Sequence, residues 1–418
     1  RTTSLFVPLR VVGSPTPTSI VNLLRDRFGG PRSGLGYRPI EPNPERIRAM
    51  PLGPMDDYLA HQTTDTFDQV FTSDRNFFDR YYFNLHPSSD ELFMVFGLGQ
   101  YPNLGVTDAF ACISHGETQY TVRASRELGS DRMDTSVGPF RFEVLEGLKS
   151  LRISCDENEW GLAFDVTWNG AQPPLEEPKS FKKSFSRTVM DNARFAQTGT
   201  YSGTLEIAGQ SYDVRPEKWK GARDRSWGIR GVGEPEPPGI RVKEERMSGF
   251  FHNWMPMQFD DYMIKVFIEE DAEGKRVLEE GIQVWNYGID KDNELLGSPN
   301  HQMRYHSGTR EVAGATIGFA NSDLTVENVP LRTVNLGMGS GYINTDGWGH
   351  GVYQGDLKVE GLQYDVSTPQ VRAKTFGLNE TLCRFEASNG DVGYGMHENF
   401  IVGTYKPYGF DAPDTMAP

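Results

Sequence analysis

Residues 160–168 read WGLAFDVTW, and every second position of this stretch is apolar. Because successive side chains of a β-strand point to opposite faces, the alternation predicts a strand with one buried and one wet face. The same period recurs along much of the chain. Further alternating segments lie at 140–144, 151–155, 205–207, 262–268, 324–326 and 357–359.

Turn sequences separate these segments, and they include Asn169-Gly170, Ala208-Gly209 and Asn389-Gly390. Short strands with one wet face, joined by tight turns, are typical of antiparallel sandwiches and barrels. No strand–helix–strand rhythm with a glycine-rich phosphate loop accompanies them, which argues against a dinucleotide-binding fold. We therefore predict an all-β protein with few helices. The expected short helices lie at 18–28, 43–50 and 73–80.

The segment QPPLEEP at 172–178 is the clearest linker in the chain. It predicts two β domains of comparable size and a tandem architecture. A segment at the start, rich in proline, glycine and arginine, is expected to wrap the body or a neighbouring subunit in a homo-oligomer. The predicted parts are an N-terminal arm (1–55), a first β domain (56–171), the linker (172–189), a second β domain (190–405) and a C-terminal tail (406–418).

The net charge of the 418-residue chain is -15, which argues against nucleic acid and anionic membranes as partners because both favour a basic surface. The cysteines are Cys112, Cys155 and Cys383, with no CxxC spacing. So sparse a set favours a reducing compartment, and we expect a cytoplasmic protein. No run of apolar residues is long enough to predict a membrane span, and residues 1–19 lack the apolar core of a signal peptide.

An unusual cluster of charges occurs at 221–230, which reads GARDRSWGIR. Asp224 stands between Arg223 and Arg225, and Trp227 follows. Two adjacent guanidinium groups would lower the pKa of the carboxyl group. This favours a partly buried structural ion cluster covered by Trp227, with one wall of a ligand site as the alternative.

Four segments resemble one family of proteins. They are RFAQTGTYSGTLEIAGQSYDV (194–214), GARDRSWGIR (221–230), HNWMPMQFDD (252–261) and GYGMHE (393–398). Together they resemble the tandem lipocalin-like superfamily of carotenoid 1,2-hydratase (hydroxyneurosporene synthase) and AttH-type proteins, with a distant similarity to tocopherol cyclase. Asp224 and Trp227 match the family's motif, whereas Arg225 and Ser226 depart from it. The resemblance is good over 190–405, weak over 80–170 and absent over 1–55.

The resemblance implies two consecutive lipocalin-like antiparallel β-barrels or sandwiches, and a pocket for a hydrophobic small molecule. It also implies hydration, elimination or cyclisation at an isoprenoid double bond. Such chemistry needs a proton donor, a positioned base or water, and aromatic faces that tolerate a cation. It requires no cofactor, and the dispersed histidines predict no metal site.

Eight side chains are candidates for this chemistry. The candidate catalytic residues are Glu398, His252 and Asp224, and the candidate substrate-binding residues are Trp254, Trp227, Tyr262, Trp285 and Arg223. Each also has a structural interpretation: the charged groups as ion pairs and the aromatic rings as core. His397 is expected to point away from Glu398, because neighbours in a strand face opposite ways.

The leading hypothesis is a cofactor-independent lyase, hydratase or isomerase acting on a hydrophobic terpenoid-, steroid- or polyketide-like molecule. The alternatives are a carrier of such a ligand and a structural subunit that assembles through its arm. An enzyme should present an acid to an apolar space without an arginine partner. A carrier should present paired charges only, and a scaffold should have filled barrels.

Overall fold

The structure is a computed structural model that describes residues 54–184, 186–236, 249–344, 346–375 and 377–418. The expected helices at 18–28 and 43–50, and nearly all of the expected arm at 1–55, lie outside these residues. In the described part, no helix is long and apolar enough to cross a membrane.

Twenty-three strands run through the described residues. The strands up to Arg230 are β1 (Phe77–Leu85), β2 (Leu92–Tyr101), β3 (Val106–His115), β4 (Thr118–Glu127), β5 (Ser136–Val137), β6 (Phe140–Glu146), β7 (Ser150–Cys155), β8 (Leu162–Gly170), β9 (Leu175–Glu176), β10 (Ser180–Ser184), β11 (Arg187–Ile207), β12 (Gln210–Val214) and β13 (Lys220–Arg230). The strands that follow are β14 (Gly249–Gln258), β15 (Tyr262–Asp271), β16 (Arg276–Trp285), β17 (Glu294–Leu295), β18 (Pro299–Tyr305), β19 (Val312–Phe319), β20 (Ser322–Asn335), β21 (Leu357–Asp365), β22 (Asn379–Ala387) and β23 (Val392–Gly403).

Helical structure in the described residues is brief. A single α-helical turn, α1, spans Pro369–Arg372, and 3-10 turns occur at Pro54–Asp57, Pro102–Leu104 and Lys406–Tyr408. The helix expected at 73–80 is wrong, because β1 begins at Phe77. Its sequence, FFDRYYFNL, is dominated by aromatic side chains, which favour the pleated surface of a strand.

The first sheet is antiparallel and has the strand order β21-β4-β3-β2-β1-β13-β11-β8-β7-β6-β5, with β9, β10 and β12 also paired to β11. It curls into a nearly closed barrel, in which β5 approaches β3 and β4. Alternation along the strands fills the barrel with apolar side chains. The aromatic members include Phe83, Phe96, Phe140, Phe164, Trp168 and Tyr201.

The second sheet has nine antiparallel strands in the order β17-β16-β15-β14-β23-β22-β20-β19-β18, and it forms a half-barrel. Its concave core includes Phe251, Met255, Ile264, Val266, Ile317 and Phe385. These two antiparallel sheets confirm the predicted all-β fold class.

The two sheets do not divide the chain at the expected linker. Strands β9 to β13, within 175–230, belong to the first sheet, and the second sheet opens with β14 at Gly249. Strand β21 returns to the first sheet, where Leu357–Asp365 pairs along β4. The domain boundaries predicted at 172–189 stay a prediction.

A third apolar cluster lies between the sheets, and we call it the inter-sheet layer. It takes side chains from the outer face of the barrel and the convex face of the half-barrel. Its members include Tyr82, Phe93, Val95, Ala222, Trp254, Phe267, Leu382 and Met396. The candidate site is built on this layer.

Candidate functional site

The motif at 221–230 forms β13, and the period of the strand divides the expected ion cluster between two faces. Arg223 points into the barrel, where its Nε donates to Gln197 Oε1 at 2.9 Å. Its guanidinium carbon lies 4.4 Å from the Trp168 ring centroid. Burial lowers the pKa of Arg223 to about 10. Arg223 therefore supports the barrel interior and is separated by the sheet from the inter-sheet layer.

Asp224 faces the opposite way, into the inter-sheet layer beside Arg194. Burial raises the pKa of Asp224 to about 6, although the positive charge of Arg194 opposes this shift. The expectation that Arg223 and Arg225 keep Asp224 ionised is wrong, because adjacent residues of a strand point to opposite faces. Asp224 is thus able to exchange a proton near neutral pH.

His252, on β14, lies between two carboxyl groups. Its Nε2 is 3.6 Å from Glu398 Oε2 on β23, and its Nδ1 is 3.7 Å from Glu269 Oε1 on β15. Burial alone would lower the pKa of His252, but the charges of Glu398 and Glu269 outweigh it and raise the pKa. His252 and Glu269 are buried, whereas the Glu398 side chain is 22% exposed. The Glu398 side chain is therefore accessible to solvent.

Glycines in β23 set this geometry. A Cβ atom at Gly395 would lie 2.2 Å from the Pro256 carbonyl oxygen, and one at Gly393 would lie 2.7 Å from that of Gln258. The backbone of β14 therefore approaches β23 closely because these positions lack side chains. The resulting register places Trp254 directly opposite Glu398.

Glu380, on β22, was missed in the sequence. Its Cα is the cross-strand partner of Glu398, so the two carboxyl groups share one face. The Glu380 side chain is buried, and its Oε2 has no hydrogen-bond partner in the described part of the chain. Burial raises the pKa of Glu380 well above its usual value, and the charge of Glu398 adds to the shift. Glu380 is thus a neutral acid facing the inter-sheet layer.

Trp254 borders the layer and is fixed by a buried ion network. Its Nε1 donates to Glu177 Oε1 at 2.6 Å, and the same oxygen lies 3.1 Å from Lys265 Nζ. Arg194 Nε lies 3.2 Å from Glu177 Oε2, and Glu280 Oε2 is 2.5 Å from Lys265 Nζ. Burial would raise the pKa of Glu177, but Lys265 and Arg194 lower it on balance. These charges are paired and hold the wall of the site.

Three of the candidate residues lie elsewhere. Trp227 is 40% exposed on the barrel side of β13. Tyr262 is at the far end of β15 from Glu269, where its hydroxyl donates to Asp391 Oδ2 at 2.6 Å. Trp285 packs against Tyr262 with ring centroids 5.4 Å apart, within the second sheet's own core. The structure therefore groups Glu398, His252, Asp224 and Trp254 around the inter-sheet layer and leaves these aromatics outside it.

His397 faces the concave side of the second sheet, as expected from the alternation of strand residues. Its Nε2 lies 2.6 Å from Asn253 Oδ1, and its Nδ1 lies 2.6 Å from Asn328 Nδ2. Burial lowers the pKa of His397 to about 3, so the ring is neutral. His397 is a core residue and does not share the site of Glu398.

Comparison with known proteins places the chain in a family. The model of a family of unknown function, DUF8625, matches residues 52–411. The chain belongs to this family. No match is found among the curated proteins.

Solved structures with a similar course of the chain include three proteins. An AttH-like protein from Nitrosomonas europaea has 12% identity and a TM-score of 0.48, and the match covers 79% of this chain and 96% of that one. Kievitone hydratase from Nectria haematococca has 12% identity and a TM-score of 0.43, covering 86% and 99%. CghA has 10% identity and a TM-score of 0.40, covering 78% and 88%. An AttH-like protein is thus among the structural neighbours, in agreement with the sequence resemblance.

Proposed function

We propose that the protein is a cofactor-independent lyase, hydratase or isomerase that acts on a double bond of a hydrophobic small molecule at the inter-sheet layer. One observation carries this proposal: within the part of the chain that the structure describes, the buried Glu380 carboxyl group has no arginine partner, and it lies directly opposite Glu398 on the neighbouring strand, with a raised pKa. Two carboxyl groups in different surroundings can divide the roles of proton donor and proton acceptor.

In the first step Glu380 gives its proton to one carbon of the double bond, and a cation forms on the other carbon. The rings of Tyr82 and Trp254 stand edge to face at 6.0 Å beside this position and can stabilise positive charge. In a hydratase, water then bonds to the cation and releases a proton to Glu398. In an isomerase, Glu398 removes a proton from a neighbouring carbon, and the double bond moves. Solvent returns the proton from Glu398 to Glu380.

His252 acts in this scheme as a positioning residue. Its ring is held between Glu398 and Glu269, and the charges of these two groups raise its pKa, which favours the protonated ring. Lys182 Nζ lies 3.0 Å from Glu269 Oε2. The charged groups therefore follow one another in the order Lys182, Glu269, His252 and Glu398. These alternating charges orient the Glu398 carboxylate on the face of the sheet that it shares with Glu380. Asp224 supplies a second titratable acid at the same layer.

The alternative function is a carrier of a hydrophobic ligand. The ion network of Glu177, Lys265 and Arg194 favours it, since all three charges are paired and serve structure. The substrate class within the enzyme proposal is a terpenoid-, steroid- or polyketide-like molecule, because the wall offers aromatic and aliphatic surface around few polar groups.

Isotope labelling separates these functions. The hydrophobic ligand that co-purifies with the protein is extracted, identified by mass spectrometry, and returned to the protein in heavy-oxygen water and in deuterium oxide. A hydratase incorporates both heavy oxygen and deuterium, whereas an isomerase incorporates deuterium alone. A lyase that eliminates water returns a ligand that is lighter by one water. Recovery of the ligand unchanged in mass and without either label would contradict the enzyme proposal and support the carrier.

A further inference from the structure

A cavity of about 920 Å³ lies at one end of the first barrel, roofed by residues from 55–71. We call it the barrel-end cavity. Its volume is in the range of small-molecule sites, roughly 300–1,000 Å³. Apolar side chains from the barrel and the roof form most of its wall. They are Phe67, Val70, Phe77, Tyr81, Leu98 and Phe142.

The roof is held by specific contacts. The Phe67 backbone N–H donates to Asp56 Oδ1 at 2.9 Å, and the His61 ring packs 4.4 Å from the Phe67 ring. Asn103 Nδ2 donates to the Thr72 carbonyl oxygen at 2.8 Å, which ties the end of the roof to the barrel. The cavity is therefore a formed feature of the fold.

Two arginines converge at the polar side of the barrel-end cavity. Arg132 Nη2 lies 3.3 Å from Asp79 Oδ2, and Arg225 pairs with the same carboxylate. Arg132 Nε also donates to Gln100 Oε1 at 2.5 Å. Burial lowers the pKa of Arg132, and Asp79 only partly opposes the shift. The negative charge of Asp68 acts on Arg132 as well, although more weakly than that of Asp79. Two guanidinium groups thus share the Asp79 carboxylate at contact distance.

Among the described residues, the other charged groups of the wall form no ion pair with Arg132 or Arg225. Asp65, Arg141 and Glu143 are exposed at the rim and face solvent. Asp134 is paired with Arg126 at 2.9 Å. The two guanidinium groups therefore lie on the inner side of the cavity, where Arg132 is only 10% exposed.

We propose that the barrel-end cavity binds an amphipathic monocarboxylate. Its apolar body would pack against Leu98 and Phe142, and its carboxylate would accept hydrogen bonds from Arg132 and Arg225. Guanidinium groups match a carboxylate in shape and charge, and the low exposure of Arg132 strengthens the pairing. This site is separate from the proposed active site. Strand β13 presents Arg225 to the barrel-end cavity and Asp224 to the opposite face, toward the inter-sheet layer.

Decanoate and 1-decanol test this proposal, because they share an apolar chain and differ in the head group. Isothermal titration calorimetry on the full chain should show saturable binding of decanoate at one site, and weaker binding of 1-decanol. Arg132→Gln should weaken decanoate binding about tenfold or more and leave 1-decanol within about twofold, since one charged hydrogen bond is removed. Arg152→Gln is the matched control, because Arg152 is 53% exposed on the outside of the barrel and pairs there with Asp165.

A second variant guards against loss of folding. Val70→Trp fills the cavity from its roof, outside both sheets, and should weaken binding of both probes. Glu398→Gln should leave decanoate binding unchanged, which separates this site from the inter-sheet layer. No decanoate binding, equal affinity for the two probes, or an unchanged affinity in Arg132→Gln would each overturn the proposal.

Discussion

Glu380→Gln is predicted to become more stable than the wild type as the pH rises. Burial raises the pKa of Glu380 above its ordinary value of 4.5, so the folded wild type keeps a proton that the unfolded chain has lost. A carboxyl group with a raised folded-state pKa makes its full contribution to stability below the unfolded-state pKa. This contribution is lost as the pH rises toward the folded-state pKa. Each pH unit in this window costs the wild type ~1.4 kcal/mol of unfolding free energy. Glutamine resembles the neutral carboxyl group and does not titrate.

Urea unfolding followed by tryptophan fluorescence, at several pH values from about 5 to 7, measures this difference. The unfolding free energy of Glu380→Gln minus that of the wild type should grow as the pH rises through this range, because the wild type loses stability and the amide does not titrate. Glu386→Gln is the matched control, because Glu386 lies on the same strand with a side chain 43% exposed. A difference that stays constant over this range would refute the assignment of Glu380 as a neutral acid.

Two further variants test the surroundings of the site. Asp224→Asn should gain stability relative to the wild type between pH 3.8 and about 6, by about 3 kcal/mol in total, and no more above this range, as urea unfolding at each pH would measure. Lys265→Met should lower the unfolding free energy by about 3–5 kcal/mol at neutral pH, because Glu177 and Glu280 lose a fully buried partner. A loss below about 1 kcal/mol in Lys265→Met would contradict the buried ion network.

The strands could be predicted from the sequence because apolar and polar residues alternate in them, and this alternation reflects which side chains are buried. The stretch at 160–168 covers most of β8, and the opposite orientation of His397 and Glu398 followed from the same rule. That rule also separates Asp224 from Arg223, yet the density of charge in the motif suggested a single cluster. The alternation of a strand therefore determines which charged side chains can pair, even where residues adjacent in the sequence carry opposite charges.

Other features depend on contacts between distant segments. Glu380 lies in the β22 sequence NETLCRFEA, two residues before Leu382. The acid and the apolar residue therefore share one face of the strand. That is the only local signal, and its pairing with Glu398 depends on the register of β22 and β23. Strand β21 likewise shows a recognisable alternation, but nothing within it indicates β4 as its partner. Pairing and burial of charge are properties of the folded chain.

The most direct test of the proposed function is the rate at which Glu380→Gln converts the co-purified ligand. Because a positioned general acid contributes roughly 10²–10⁴-fold to a rate, turnover should fall by at least about 100-fold, while Glu386→Gln keeps the wild-type rate. Ligand affinity should change little, since the amide keeps the shape of the neutral acid. Full turnover by a folded Glu380→Gln protein would contradict the central claim that this carboxyl group delivers the proton.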